Sequence, residues 1–194
     1  PLAGPAGMRW RLGGVLALAG DVNGDGLSDL VAGSRYASGF DGTALVYLGS
    51  ALGLSPSFVT LTNPRGGQRS EFGETVAGDA DVNGDGYADI VVGAPAASSD
   101  SGEAYIFQGG SPLATAVATT LAGPTRGEFG AAVTGAGDTD SDGFADVAVG
   151  APSFNLFDGE VRMFRGGGSG LGTTPQTRSG PTGASGGFGI ELSR

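Results

Sequence analysis

Residues Phe72 to Pro95 read FGETVAGDADVNGDGYADIVVGAP, and the order of residue types in this stretch decides the fold. An acidic, glycine-broken loop, DVNGDGYAD, stands between a short apolar segment and the β-branched run Asp89-Ile90-Val91-Val92, which Gly93-Ala94-Pro95 then ends. The flanking segments are short, valine-rich and bounded by glycine or proline, so they read as strands rather than helices. The stretch therefore predicts two strands joined by a hairpin whose loop is built from oxygen-bearing side chains.

Working outward, the same order occurs at two other places. An opening pair reads Leu12-Gly13, Phe72-Gly73, Phe129-Gly130 and Phe188-Gly189, which makes successive units 60, 57 and 59 residues long. Nine residues after each of the first three pairs an acidic loop begins, at Asp21, Asp81 and Asp138. A turn glycine (Gly42, Gly102, Gly159) always follows the opening pair by 30 residues, so all variation in length lies in the second half of the unit. Internal repetition on this scale organises the whole chain. Within each unit a β-branched run follows the loop, at Asp29–Ala32, Asp89–Val92 and Asp146–Val149, and a third strand begins at Thr43, Glu103 or Glu160. Weaker segments at Phe58–Leu61 and Thr119–Leu121 read as a fourth, outer strand. Four short strands in about 60 residues, repeated, predict an all-β chain of β-propeller blades. The expected blades are residues 9–62, 69–122 and 126–180, with 187–194 as the first strand of a fourth whose own loop would start at residue 197. The segment from Met8 to Gly20 imitates a signal peptide, but it aligns with the opening of the two later units and is assigned to the first blade.

The loops read DVNGDGLSD, DVNGDGYAD and DTDSDGFAD. Oxygen-bearing side chains fall at positions 1, 3, 5 and 9, namely Asp21, Asn23, Asp25 and Asp29, then Asp81, Asn83, Asp85 and Asp89, then Asp138, Asp140, Asp142 and Asp146. Calcium takes six to eight hard oxygen ligands, and the glycine at position 6 permits the sharp turn around it. Position 7 (Leu27, Tyr87, Phe144) is expected to contribute a backbone carbonyl, so its side chain is free to vary. Asn-Gly-Asp-Gly is also a strong tight-turn sequence. Against a bare turn, ten of the twenty acids sit in these twenty-seven residues, a repulsion that calls for cations. An EF-hand is excluded because its twelfth position, where a glutamate belongs, holds Ala32, Val92 or Val149. A loop-helix calcium motif fails as well, since strands follow the loops. Three Ca²⁺ would move the formal charge from −10 to −4.

Composition removes whole classes of chemistry. Forty glycines and ten prolines would suggest low complexity if they did not recur in register. The chain has no cysteine, histidine or lysine, which excludes disulfides, thiol or histidine catalysis, the common zinc and haem ligands, Schiff-base lysines and the P-loop ammonium. The charge of −10 disfavours nucleic acid and anionic membranes, and no apolar run approaches the ~20 residues of a membrane-spanning helix. The glycine-, alanine- and arginine-rich, lysine-free composition hints at a GC-rich bacterial source.

Phe72-Gly73 with Gly93-Ala94-Pro95, and Phe129-Gly130 with Gly150-Ala151-Pro152, each bracket an acidic loop, and on these residues the chain resembles FG-GAP repeats, the blades of the integrin α-subunit β-propeller. The first unit departs, with Leu12 for phenylalanine and Gly33-Ser34-Arg35 for Gly-Ala-Pro, which puts its packing in question more than its loop. The resemblance implies a secreted or cell-surface module with structural calcium on one face and partner recognition on the other. It also implies a seven-bladed ring, so three blades belong to a longer protein, keep open ends, or meet a second copy in a dimer joined through Gly187 to Leu192. The opposite face would carry Tyr36, Phe40, Phe154 and Phe157, together with Arg9, Arg65, Arg69 and Arg126. These side chains suit a recognition surface, or else the aromatics pack between blades and the arginines balance charge. The expected function is extracellular protein interaction or adhesion. The alternatives are a carbohydrate-binding propeller and a non-catalytic accessory region of a secreted lyase or phospholipase. A catalytic chain would have to work with carboxylates, arginine and tyrosine alone, and no recurring acid pair outside the loops provides for it.

Overall fold

The computed structural model describes residues 12–67, 69–183 and 186–192; the signal-like Met8–Arg11 segment, Arg9 and the last two residues of the expected fourth-blade strand lie outside these. Among the described residues, twelve strands form three antiparallel sheets of four, each in sequence order. The first contains β1 (Val15–Gly20), β2 (Asp29–Ser34), β3 (Thr43–Tyr47) and β4 (Phe58–Thr62). The second contains β5 (Thr75–Ala80), β6 (Asp89–Ala94), β7 (Glu103–Phe107) and β8 (Thr119–Ala122). The third contains β9 (Ala132–Gly137), β10 (Asp146–Ala151), β11 (Glu160–Phe164) and β12 (Gln176–Ser179). The first strands of successive sheets run beside one another, β1 against β5 and β5 against β9, so the sheets are propeller-type blades arranged about their inner strands, with no sheet closed on itself.

The middle strands of the second blade, β6 and β7, are buried throughout because that blade is packed between the other two, whereas β11 of the third blade is half-buried over its central residues. Val31, Val46 and Leu61 of the first blade meet Phe72, Val92, Tyr105 and Phe107 of the second in one apolar cluster. Val91, Ile106 and Leu121 of the second meet Phe129, Val147, Val149 and Phe164 of the third in another. The phenylalanines of the opening pairs are keystones of these clusters: Phe72 lies 5.7 Å from the Tyr105 ring and Phe129 lies 6.0 Å from Phe164, both fully buried. Phe188 makes the same parallel bridge to Gly159 that Phe72 makes to Gly42 and Phe129 to Gly102.

Glycine in the strand-ending motif is dictated by close approach of neighbouring backbones. A Cβ on Gly33, Gly93 or Gly150 would stand 2.2, 2.1 or 1.9 Å from the carbonyl oxygen of Gly73, Gly130 or Gly189 in the following unit. The departures in the first unit do not alter its blade: β2 has the same length as β6 and β10, and Ser34 is buried.

After each of these strands the chain makes a left-handed turn, which the pattern of glycine and proline only marked as a loop. Ser38, Gly39 and Phe40 have φ of 50, 73 and 76°; Ser98, Ser99 and Asp100 have 53, 57 and 62°; Asn155, Leu156 and Phe157 have 50, 59 and 71°. Each turn is closed by Gly42, Gly102 or Gly159, whose N–H donates at 3.0 Å to the carbonyl of Ala37, Ala97 or Phe154. The left-handed winding aims the last carbonyl of the turn at the next blade. Phe40, Asp100 and Phe157 accept there from the N–H of Glu71, Glu128 and Gly187 at 2.9, 3.0 and 2.9 Å. Antiparallel alternation places these turns and the links between blades at one end of the strands, and the acidic loops at the other.

Candidate metal centre

Each acidic loop is wound around its own first aspartate. Asp21 accepts from the N–H of Gly24, Asp25 and Gly26 at 2.7, 3.1 and 2.8 Å, and Asp81 from Gly84, Asp85 and Gly86 at 2.6, 3.1 and 2.9 Å. Asp138 accepts from Asp142 and Gly143 at 3.1 and 2.9 Å. These donors, the position-6 glycine first among them, hold Asp21 and Asp138 below the usual carboxylate pKa. The fifth-position carboxylates Asp25, Asp85 and Asp142 accept from Leu27, Tyr87 and Phe144 at 2.9, 2.9 and 3.0 Å, which fixes the turn that follows.

The ninth-position aspartates Asp29, Asp89 and Asp146 open the second strand of their blades and are completely buried. One oxygen of each accepts from the loop's second residue, from Val22, Val82 or Thr139 at 2.9, 2.9 or 3.1 Å. The other accepts from Gly49, Gly109 or Gly166, just past the third strand, at 2.6, 2.8 or 3.0 Å. Sequence spacing marked these residues as ligands; their tie to a glycine twenty positions away had no local signal. Burial pushes the Asp89 carboxyl up to about 6 against the pull of its two N–H donors.

The first and second loops bring amide and carboxylate together: Asn23 donates to Asp25 at 2.9 Å, and Asn83 to Asp85 at 2.8 Å. In the third loop, Asp138, Asp140 and Asp142 each offer an oxygen within 4.8 Å of the others, the one such acidic group among the described residues. Successive loops are also joined. Ala88 donates to the Asp21 carbonyl at 3.0 Å and Ala145 to the Asp81 carbonyl at 2.9 Å. The rings of Tyr87 and Phe144 cover Gly24 and Gly84 of the preceding loop so closely that a Cβ there would meet them at 2.6 and 2.7 Å. Position 7, where the side chain varies from loop to loop, is thus used between blades, a role that reading one loop at a time could not reveal.

At the opposite end, the side chains set aside for recognition divide. Arg65 is committed to Glu103, with bonds of 2.7 and 2.5 Å, and Phe154 packs against the second apolar cluster. Tyr36 and Phe40 stack edge to face at 5.1 Å, with Arg69 over the Phe40 ring at 4.9 Å. Arg126 and Phe157, with Leu156, line a cavity of about 460 Å³ between the second and third blades. Arg9 lies outside the described residues.

A chain of propeller-type blades, each with an acidic hairpin between its first two strands, is the class that fold and site define. Residues 72–107 and 129–172, in the second and third units, match the FG-GAP repeat. The chain is similar to integrin alpha-8 of Gallus gallus, 35% identical over 84% of this chain and 16% of that protein. It is also similar to integrin alpha-4 of Xenopus laevis, 31% identical over 71% of this chain and 14% of the relative, and to integrin alpha-3 of Mus musculus, 38% identical over 54% and 10%. The chain thus spans a small part of these relatives. Among the described residues no helix is long and apolar enough to cross a membrane.

Proposed function

We propose that this chain is an integrin-α-like, calcium-braced interaction module of the extracellular or cell-surface space, which binds a partner rather than catalysing a reaction. The observation that carries the proposal is the threefold acidic hairpin, wound the same way in each blade and tied by buried Asp29, Asp89 and Asp146 to the end of the third strand. Its donor set is all hard oxygen, which suits Ca²⁺. Side chains at positions 1, 3, 5 and 9, with the carbonyls of Leu27, Tyr87 and Phe144, would hold one ion per loop. Bound calcium supplies positive charge that fixes the hairpin and the blade-to-blade bonds behind it. Sites of this extracellular kind bind at about 10⁻⁴ to 10⁻³ M.

The partner belongs on the other end of the blades, where Arg69 lies over the half-buried ring of Phe40, and Arg126 lines a cavity with the exposed ring of Phe157. Protein ligands are the class that likeness to integrin α subunits supports. The open flanks, with Leu16, Leu18 and Ile190 exposed, suit a second copy, which light scattering would register as twice 18.9 kDa. Equilibrium dialysis against ⁴⁵Ca tests the main proposal: three ions per chain are expected, and none bound at millimolar calcium overturns it.

A further inference from the structure

Among positions 1, 3, 5 and 9 the three acidic loops differ only at position 3, and in the third unit that change is met by a charged residue after the third strand. In the first two units the third loop residue is Asn23 or Asn83, and the residue after the third strand is Leu48 or Gln108. In the third unit these become Asp140 and Arg165, and the side chains meet: Arg165 Nη1 stands 2.9 Å from Asp140 Oδ2. The guanidinium is seated from the far side as well. The Gln176 side-chain oxygen, turned toward it, accepts from Nη2 at 2.7 Å and Nε at 3.0 Å. The first two loops carry three carboxylates each and the third carries four, so Arg165 returns the third to the same net charge of −3.

We infer that Arg165 is a built-in counter-cation of the third loop, a positioning residue that holds Asp140 and lowers this loop's calcium affinity toward that of its neighbours. The inference rests on the calcium proposal above. Arg165 engages Oδ2 of Asp140 at 2.9 Å and so holds the carboxylate in place before an ion arrives. A fixed positive charge about 6 Å from a divalent ion also repels it; in exposed, salt-screened surroundings the effect is about three- to tenfold in affinity. Without calcium the same charge relieves repulsion among Asp138, Asp140 and Asp142.

Arg165→Gln installs the residue that the second unit carries as Gln108. Calcium titration of the 194-residue chain, followed at the amide resonances of Gly26, Gly86 and Gly143, reads each loop separately. The expected result at low ionic strength is a Gly143 midpoint lowered about three- to tenfold by Arg165→Gln, with Gly26 and Gly86 unmoved and the gain reduced by added salt. In an Asp140→Asn background the substitution should leave the Gly143 midpoint within about twofold, since the two effects couple only if the pair carries them. A Gly143 midpoint unchanged or raised by Arg165→Gln, or a gain of the same size without Asp140, overturns the inference and leaves the calcium proposal standing. Wild-type spectra indifferent to calcium at all three glycines overturn both.

Discussion

A single methyl group is enough to test the contact between blades. Gly93 leaves no room for a Cβ against Gly130, whose carbonyl belongs to rigid backbone rather than to a side chain able to turn away. Gly93→Ala is expected to cost about 1–3 kcal/mol or more, the range of overpacking, measured as a lower urea midpoint. A comparable test applies to Asp89. Its two oxygens accept from Val82 and Gly109, so Asp89→Asn turns an amide NH₂ toward one of these donors and removes a charge from the loop. The expected loss is about 1–3 kcal/mol without metal, from the orphaned buried N–H, plus a calorimetric loss of calcium binding at the second loop. At this scale the sequence was most legible where several residues had to agree in spacing. It was least legible where a side chain serves a distant partner: Arg65 reads as a free surface cation, yet it spans 38 positions to Glu103.

At the scale of elements, that Arg65–Glu103 pair links the chain entering the second blade to strand β7. Burial alone would push the Glu103 carboxyl up, but hydrogen bonds from Arg65, Tyr105 and Ser98 outweigh it and hold the group below its ordinary 4.5. A lowered folded pKa contributes stability that is fully present above the unfolded value and lost as pH falls through the folded one. Urea unfolding of wild type and Glu103→Gln should therefore differ by a constant amount at neutral pH, and the difference should shrink below about pH 4.5. A difference that grows on acidification would contradict this assignment. The elements themselves were unequally readable. The first three strands of each unit have β-branched or alternating residues at fixed distances from the loop, and they formed where spacing put them. Strand β12, Gln176-Thr177-Arg178-Ser179, is exposed throughout and has no apolar residue to announce it; only pairing with β11 makes it a strand. The left-handed turns were hidden for a related reason. Leu156 and Phe157 are poor residues for positive φ, and the turn that holds them there is closed by the Gly159 N–H on the Phe154 carbonyl and tied by the Phe157 carbonyl to Gly187, thirty residues on.

At the scale of the whole molecule, the three acidic loops form a continuous rim, since the second and third each donate a backbone bond to the one before. An ion bound in one loop, as proposed, would therefore steady a hairpin on which the next leans. Repeat architectures of this kind draw much of their stability from interfaces between neighbours, and a brace at each interface acts on the whole array. The fold was legible at this scale because three copies of one pattern left little freedom in how the strands could pair. Which open faces meet a partner was not, because that depends on surfaces and not on spacing.

The most direct test is thermal unfolding of the chain in calcium and after chelation. Three sites at about tenfold over their dissociation constants contribute about 4 kcal/mol by mass action, a rise in Tm on the order of 10 °C for a chain of this size. That rise, lost with EGTA and restored by calcium but not by the same concentration of magnesium, is the expected result. Equal Tm values with and without calcium would contradict the account, because the acidic hairpins would then hold their shape without any ion.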